Sequence, residues 1–92
     1  MSTLANEPQV GLRVTGVSFA GSVVFLELND GREVGLHLDK IPWLHWLAKA
    51  TPAQRQNWSL EPNGFAVYWE ALDDGIELRH ILDPAPVNLK QT

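Results

Sequence analysis

Val23-Val24-Phe25-Leu26-Glu27-Leu28-Asn29-Asp30-Gly31-Arg32-Glu33-Val34-Gly35-Leu36-His37 is the stretch that decides the fold. Apolar residues recur at every second position on either side of Asn29-Asp30-Gly31, the pattern of two half-buried strands joined by a hairpin. With Gly31 as the left-handed third residue of a three-residue loop, Leu26 lies opposite Val34 and Val24 opposite Leu36, so one sheet face is continuously aliphatic. A two-residue Asp30-Gly31 turn would set Leu28 against Glu33 and Val24 against His37 and mix the faces. The longer loop with its bulge is therefore expected.

Upstream, Phe19-Ala20-Gly21 read the same way puts Val14 opposite Leu26 and Leu12 opposite Leu28, which makes three antiparallel strands. The other face then carries Val17, Val23 and Phe25 beside Arg13, Glu27, Glu33 and His37, mixed rather than wholly polar. Downstream, Asp39 or Lys40 ends the third strand, and Pro42 supplies a fixed φ for a helix running to about Ala50. Its stripe of Leu44, Leu47 and Ala48 is expected to roof the aliphatic face, with Trp43 and Trp46 flanking it.

Thr51-Pro52-Ala53-Gln54 has the spacing of an N-cap, a proline at the first helical position and a capping-box partner, which predicts a second short helix to about Gln56. Trp58 to Leu60 and Phe65 to Trp69 then read as a hairpin. A two-residue Asn63-Gly64 turn pairs Leu60 with Val67 and Trp58 with Trp69; a three-residue loop from Pro62, the second choice, pairs Trp58 with Tyr68. Glu70 to Gly75 reads as a turn with Gly75 left-handed, and Leu78, Ile81 and Leu82 fit one helical turn before Pro84, with strand as the alternative.

The expected fold class is thus α+β: a three-stranded antiparallel β-meander packed by one or two short helices, followed by a second β-hairpin and a short C-terminal helical turn. Residues 10–83 form the domain, between a flexible lead-in (1–9) and a flexible tail (84–92). Ninety-two residues give one thin core, much of it supplied by four Trp, three Phe and one Tyr.

A formal charge of −4 argues against free-standing attachment to nucleic acid or to an anionic membrane, both of which need clustered cations. The absence of cysteine removes disulfide scaffolds, thiolate metal sites and thiol catalysis, and suits a reducing cytoplasm. No apolar run approaches the length of a membrane span.

Taken together, Leu26-x-Leu28-x-Asp30-Gly31, Leu36-x-Leu38, the proline-started helix, Ala53-Gln54-Arg55-Gln56-Asn57-Trp58, Gly64-Phe65-Ala66-Val67-Tyr68-Trp69 and Leu72-Asp73-Asp74-Gly75-Ile76-x-Leu78 resemble the family called domain of unknown function 2442, over roughly residues 10 to 83. The resemblance implies a small bacterial α+β domain without established activity, sometimes fused to a helix-turn-helix and often encoded beside another small protein. Tyr68 and Glu70 around Trp69, where a proline commonly follows the tryptophan, and the second helical tryptophan, Trp46, depart from the family pattern.

Chemistry-bearing residues are few. His37-x-Asp39 with His45 or His80 has the residue types of a metal or acid–base site, but i and i+2 share a face in any strand. Asp73-Asp74 with Glu70 and Glu77 offers oxygen ligands without the alternation of a calcium loop, and fits an acidic turn better. Arg55, three residues before Trp58, suits a structural cation–π contact.

Most of the four tryptophans are expected in the core, with Trp46 the exception as a partly exposed contact residue. The expected function is a non-catalytic protein-interaction module using Trp43, Trp46, Phe25 and Trp69, with no catalytic, metal or cofactor site. Its partner is another protein or its own copy. The family's gene context makes a regulatory or antitoxin-like subunit its concrete form. The alternatives are a transcriptional regulator reaching nucleic acid through a partner, and a small metal-dependent enzyme using His37, Asp39 and His80.

Overall fold

A computed structural model describes residues 11–82. The expected lead-in and the tail from 84 onward lie outside the described residues.

Strands β1 (Val14–Ala20), β2 (Val23–Leu28) and β3 (Glu33–His37) form one antiparallel sheet in the order β1-β2-β3. The β2–β3 register is the expected one, with Leu26 opposite Val34 and Val24 opposite Leu36. Gly31 has φ 96°, and Leu28 and Arg32 close the loop through Leu28 N–H to Arg32 C=O at 2.9 Å.

The β1–β2 register differs from the expectation. Ala20 pairs with Val23 and Val17 with Leu26, while Val14 pairs with Leu28 across a bulge at Thr15. Gly21, with φ 59°, is the first residue of a two-residue turn rather than the third of three. The shorter turn puts Val17 on the core face instead of the opposite one, and the bulge, by inserting one residue, brings Val14 back to that same side. Asn29 fastens the start of β1: its side-chain Oδ1 accepts from Arg13 N–H at 2.9 Å, and its Nδ2 donates to Gly11 C=O.

Pro42–Leu44 is a 3-10 turn that leads into helix α1 (His45–Ala48), shorter than the helix to Ala50 read from the sequence. It still delivers Leu44 and Leu47, both fully buried, onto the face of Val24, Leu26 and Leu28. Helix α2 (Pro52–Arg55) carries the expected capping box: Thr51 Oγ1 accepts from Gln54 N–H at 3.1 Å, and Gln54 Oε1 accepts from Thr51 N–H at 2.9 Å.

The second hairpin is β4 (Trp58–Leu60) and β5 (Ala66–Trp69), with Trp58 opposite Trp69 and Leu60 opposite Val67 as expected. A third strand, β6 (Asp74–Glu77), extends it to a sheet ordered β4-β5-β6, and helix α3 (Leu78–Leu82) follows at once. The left-handed residue of the β5–β6 connection is Asp73, with φ 54° and ψ 42°, and not Gly75. Gly75 is required for another reason: a Cβ there would sit 2.5 Å from the Val67 carbonyl oxygen.

The two sheets share one core of Val14, Val24, Leu26, Leu28, Leu38, Leu44, Leu47, Val67, Trp69, Ile76 and Leu78. At their junction the turn of the second hairpin presses on β1. A Cβ on Gly64, which has φ 69°, would lie 2.7 Å from the Val14 carbonyl oxygen, so only glycine satisfies both the backbone angle and the contact.

Candidate functional site

The four aromatic residues expected at an interaction surface are distributed unequally. Trp69 is enclosed in the core, its indole N–H donating to Arg55 C=O at 3.0 Å, and it has no surface to offer a partner. Trp46 is half-buried; its ring meets that of Trp69 edge-on at 5.7 Å and its indole N–H donates to Trp43 C=O at 2.8 Å. Trp46 is thus partly exposed, and Trp43, 46% accessible, is the more exposed of the two helical tryptophans. The 3-10 start of this segment turns 120° per residue rather than 100°, which swings Trp43 out of the α-helical phase assumed from the sequence. Phe25 is half-buried on the outer face of the first sheet, its ring lying over Gly35.

Arg55 does not face Trp58. Its guanidinium lies 5.5 Å from the centre of the Phe19 ring and donates to Ala48 C=O (3.0 Å), Gly21 C=O (3.2 Å) and Leu47 C=O (3.3 Å). It therefore closes the end of α1 and ties it to the β1–β2 turn. Arg32 and Arg79 pair with Asp30 and Glu77, each at 2.8 Å. With these guanidiniums engaged internally, the described residues give no support to a cationic groove for nucleic acid.

His37 stands at the exposed end of β3, whereas His80 lies on α3 against the Trp43 ring, 6.2 Å away, with its Nε2 3.8 Å from Glu77. Among the described residues no three His, Asp or Glu side chains gather closely enough to hold a metal ion.

An open groove of about 1070 Å³ lies over the outer face of the second sheet. Ladder partners share a face, so Val67 and Ile76 point to the core while Tyr68 and Gly75 point outward and floor the groove. Phe65 and Leu82 stand at its sides, 50% and 40% exposed. These two come together because the Leu78 N–H donates to Phe65 C=O at 2.8 Å, which starts α3 beside the hairpin loop.

Carboxylates of Glu61, Asp73, Asp74 and Glu77 border this apolar surface together with Arg79 and His80; Arg79 pairs with Glu77, so the excess negative charge is that of Glu61, Asp73 and Asp74. The Tyr68 hydroxyl donates to Asp73 at 2.7 Å. That bond, then desolvation, then the charges of Asp73, Glu70 and Glu61 raise the phenol's pKa above its ordinary 10.0. Glu77 is held below the usual carboxylate range, first by its bond from Arg79 and against desolvation. The negative field at Tyr68 is the signature of an acidic rim. No sequence motif announces this groove, since Phe65, Leu82 and the carboxylates come from separate elements.

Among the described residues no helix is long and apolar enough to cross a membrane. Comparison with curated proteins finds no match. Two solved structures are similar. One, an uncharacterised protein from Chromobacterium violaceum solved in solution by NMR, is 25% identical with a TM-score of 0.63. The match covers 76% of this chain and 63% of the other, so the present chain spans less than two thirds of that relative. The other, a protein of unknown function from Rhodospirillum rubrum, is 18% identical with a TM-score of 0.63, over 77% of this chain and 84% of that one, and shows the shared fold alone. The match to the family described as Protein of unknown function (DUF2442) runs over residues 14–87, and with the fold above it makes this chain a member of that family.

Proposed function

We propose that the chain is a non-catalytic protein-interaction module that receives a basic, amphipathic segment of a partner protein in the groove over the second sheet. The observation that carries this reading is the pairing of exposed Phe65 and Leu82 with a net acidic rim at one groove, where Glu61, Asp73 and Asp74 outnumber the cations once Arg79 is paired with Glu77. Apolar side chains left open at the centre of a polar ring are the composition of a contact surface rather than of a solvated one. The rim selects positive charge and speeds encounter with it, in keeping with the chain's formal charge of −4. Trp43 does not line the groove but packs edge-on against His80, which does, and leaves an exposed indole next to it.

A regulatory subunit acting in the cytoplasm with a co-encoded partner is the concrete form of this proposal. The test is capture from a lysate of the host with the intact chain and with a Phe65→Ser/Leu82→Ser chain, followed by identification of the retained proteins. The intact chain retains a basic protein that the double variant loses, and raised salt releases it. Equal retention by both chains, with the variant's melting temperature unchanged, would overturn the proposal.

A further inference from the structure

We infer that β3 is the dimerisation edge of this protein: two copies pair antiparallel about Gly35 and join their first sheets into one. This surface is separate from the groove of the second sheet, so the inference stands or falls independently of that reading.

Among the described residues β3 is an edge strand, with nothing beyond it in the sheet order. The bonds flanking its ladder, Leu28 N–H to Arg32 C=O at 2.9 Å and Leu38 N–H to Ser22 C=O at 2.8 Å, fix which groups face β2. By alternation Val34 and Leu36 bond inward, while the N–H and C=O groups of Glu33, Gly35 and His37 point away from the sheet. Among the described residues the one backbone bond made there is from Lys40 N–H to the His37 carbonyl at 3.1 Å, and that oxygen keeps a second lone pair. The strand is short and carries the charge of Glu33, but it holds no proline, no lysine and no bulge to obstruct pairing. The opposite edge, β1, is bulged at Thr15.

The occupant follows from self-complementarity. Antiparallel pairing about Gly35 makes hydrogen-bonded pairs of the residues whose backbone groups are free: Gly35 with its copy, and Glu33 with His37 of the other copy at both ends. It also sets Val34 against Leu36 of the other copy on the inner face, where both are half-exposed in the single chain. A register displaced toward either end leaves Glu33 or His37 facing a glycine.

Electrostatics points the same way. Within one copy Glu33 lies directly opposite Glu27, an unfavourable like-charge pair, and a second copy would bring an imidazole to the other side of Glu33. Phe25 covers Gly35 so closely that a Cβ there would lie 2.9 Å from the ring, and the two rings would flank the central glycine pair.

The test is sedimentation of the full chain over a wide concentration range, with Glu33→Lys, His37→Glu and the double variant. The intact chain reaches twice its 10.3 kDa mass. Glu33→Lys weakens the dimer by at least about tenfold, because a cation then faces His37, while thermal stability extrapolated to low concentration is unchanged or raised by relief of the Glu27 clash. The double variant sets the introduced lysine opposite the introduced glutamate of the other copy and recovers the dimer. Amide exchange gives a second readout: Gly35 gains protection with concentration, whereas Val34 and Leu36 are protected throughout. A chain that stays monomeric at about millimolar concentration, or a dimer indifferent to Glu33→Lys, would overturn the inference.

Discussion

Replacing Arg55 by methionine tests the packing of α1 and the first hairpin most directly. The substitution keeps an unbranched apolar stem over Phe19 and removes all three guanidinium bonds, to the carbonyls of Leu47, Ala48 and Gly21. A hydrogen bond from a charged donor contributes about 1.5–3 kcal/mol when well buried. Here two of the carbonyls are partly buried and the third is exposed, and the bonds at 3.2 and 3.3 Å are long, so the sum is nearer to about 2–3 kcal/mol. Loss of the cation over the Phe19 ring adds about 0.5 kcal/mol, partly offset by the sulfur that replaces it.

A domain of this size unfolds with about 5–10 kcal/mol, so the variant forfeits a large fraction of its stability. At about 4–8 °C per kcal/mol the melting temperature falls by about 10–20 °C. Urea unfolding followed by tryptophan fluorescence and far-ultraviolet dichroism measures it, with an unchanged m-value showing that the same core unfolds. Arg55→Lys, which reaches one carbonyl at a time, falls between the two. If Arg55→Met lies within about 0.5 kcal/mol of the intact chain, the three carbonyl bonds do not hold these elements together.

Gly75→Ala puts a Cβ against the Val67 carbonyl and costs about 1–3 kcal/mol, read as a lower urea midpoint. Thr51→Ala removes the Oγ1 half of the capping box, leaves the Gln54 side chain on the backbone N–H of residue 51, and costs about 1 kcal/mol by the same measurement. Because the Tyr68 pKa is raised in the folded chain, its stabilising contribution is complete below the ordinary value of 10.0 and disappears as pH climbs through the folded value. Absorbance titration finds this phenol ionising later than a free tyrosine, and Asp73→Asn brings it back toward the ordinary value. The carboxyl of Asp30 is lowered, first by the Arg32 backbone N–H and against desolvation, so its contribution is complete above the ordinary 3.8 and is lost as pH falls through the folded value. Carbon-detected NMR titration follows it, and Arg32→Ala should shift its midpoint upward.

The legible part of the fold is the part where local chemistry and long-range packing agree. Gly31 in a three-residue loop and the alternation on both sides of it fix the β2–β3 register, and Asn63-Gly64 does the same for Trp58 and Trp69. The first hairpin misleads because its turn is the two-residue Gly21-Ser22 and because Thr15 bulges. The shorter turn sets Val17 opposite Leu26 on the core face, and the bulge, an extra residue invisible in a period-two pattern, brings Val14 back to that same face. β6 escapes notice because Asp74-Gly75-Ile76-Glu77 offers one apolar residue to the core, too little for an alternation to register. The candidate site is less legible still. Phe65 and Leu82 are individually unremarkable exposed residues, and only the Leu78 to Phe65 backbone bond sets them across one groove. Trp43 is more exposed than Trp46 because a 3-10 turn replaces the first turn of the helix.

The two surfaces lie on different sheets, and that has a consequence for binding. Pairing at β3 uses none of the residues of β5, β6 and α3 that form the groove, so a dimer carries two open grooves. A partner that is itself dimeric, or that repeats its basic segment, then meets the second groove at high local concentration, and its apparent affinity rises by about a hundredfold or more without a new contact. A single-segment partner gains nothing. Glu33→Lys therefore weakens capture of a bivalent partner while leaving a monovalent basic peptide bound as before, whereas Phe65→Ser weakens both. Titrations of a basic amphipathic peptide and of its tandem repeat, each monitored by tryptophan fluorescence, separate these cases. Equal affinities for peptide and repeat on the intact dimer would show that the two grooves do not act together.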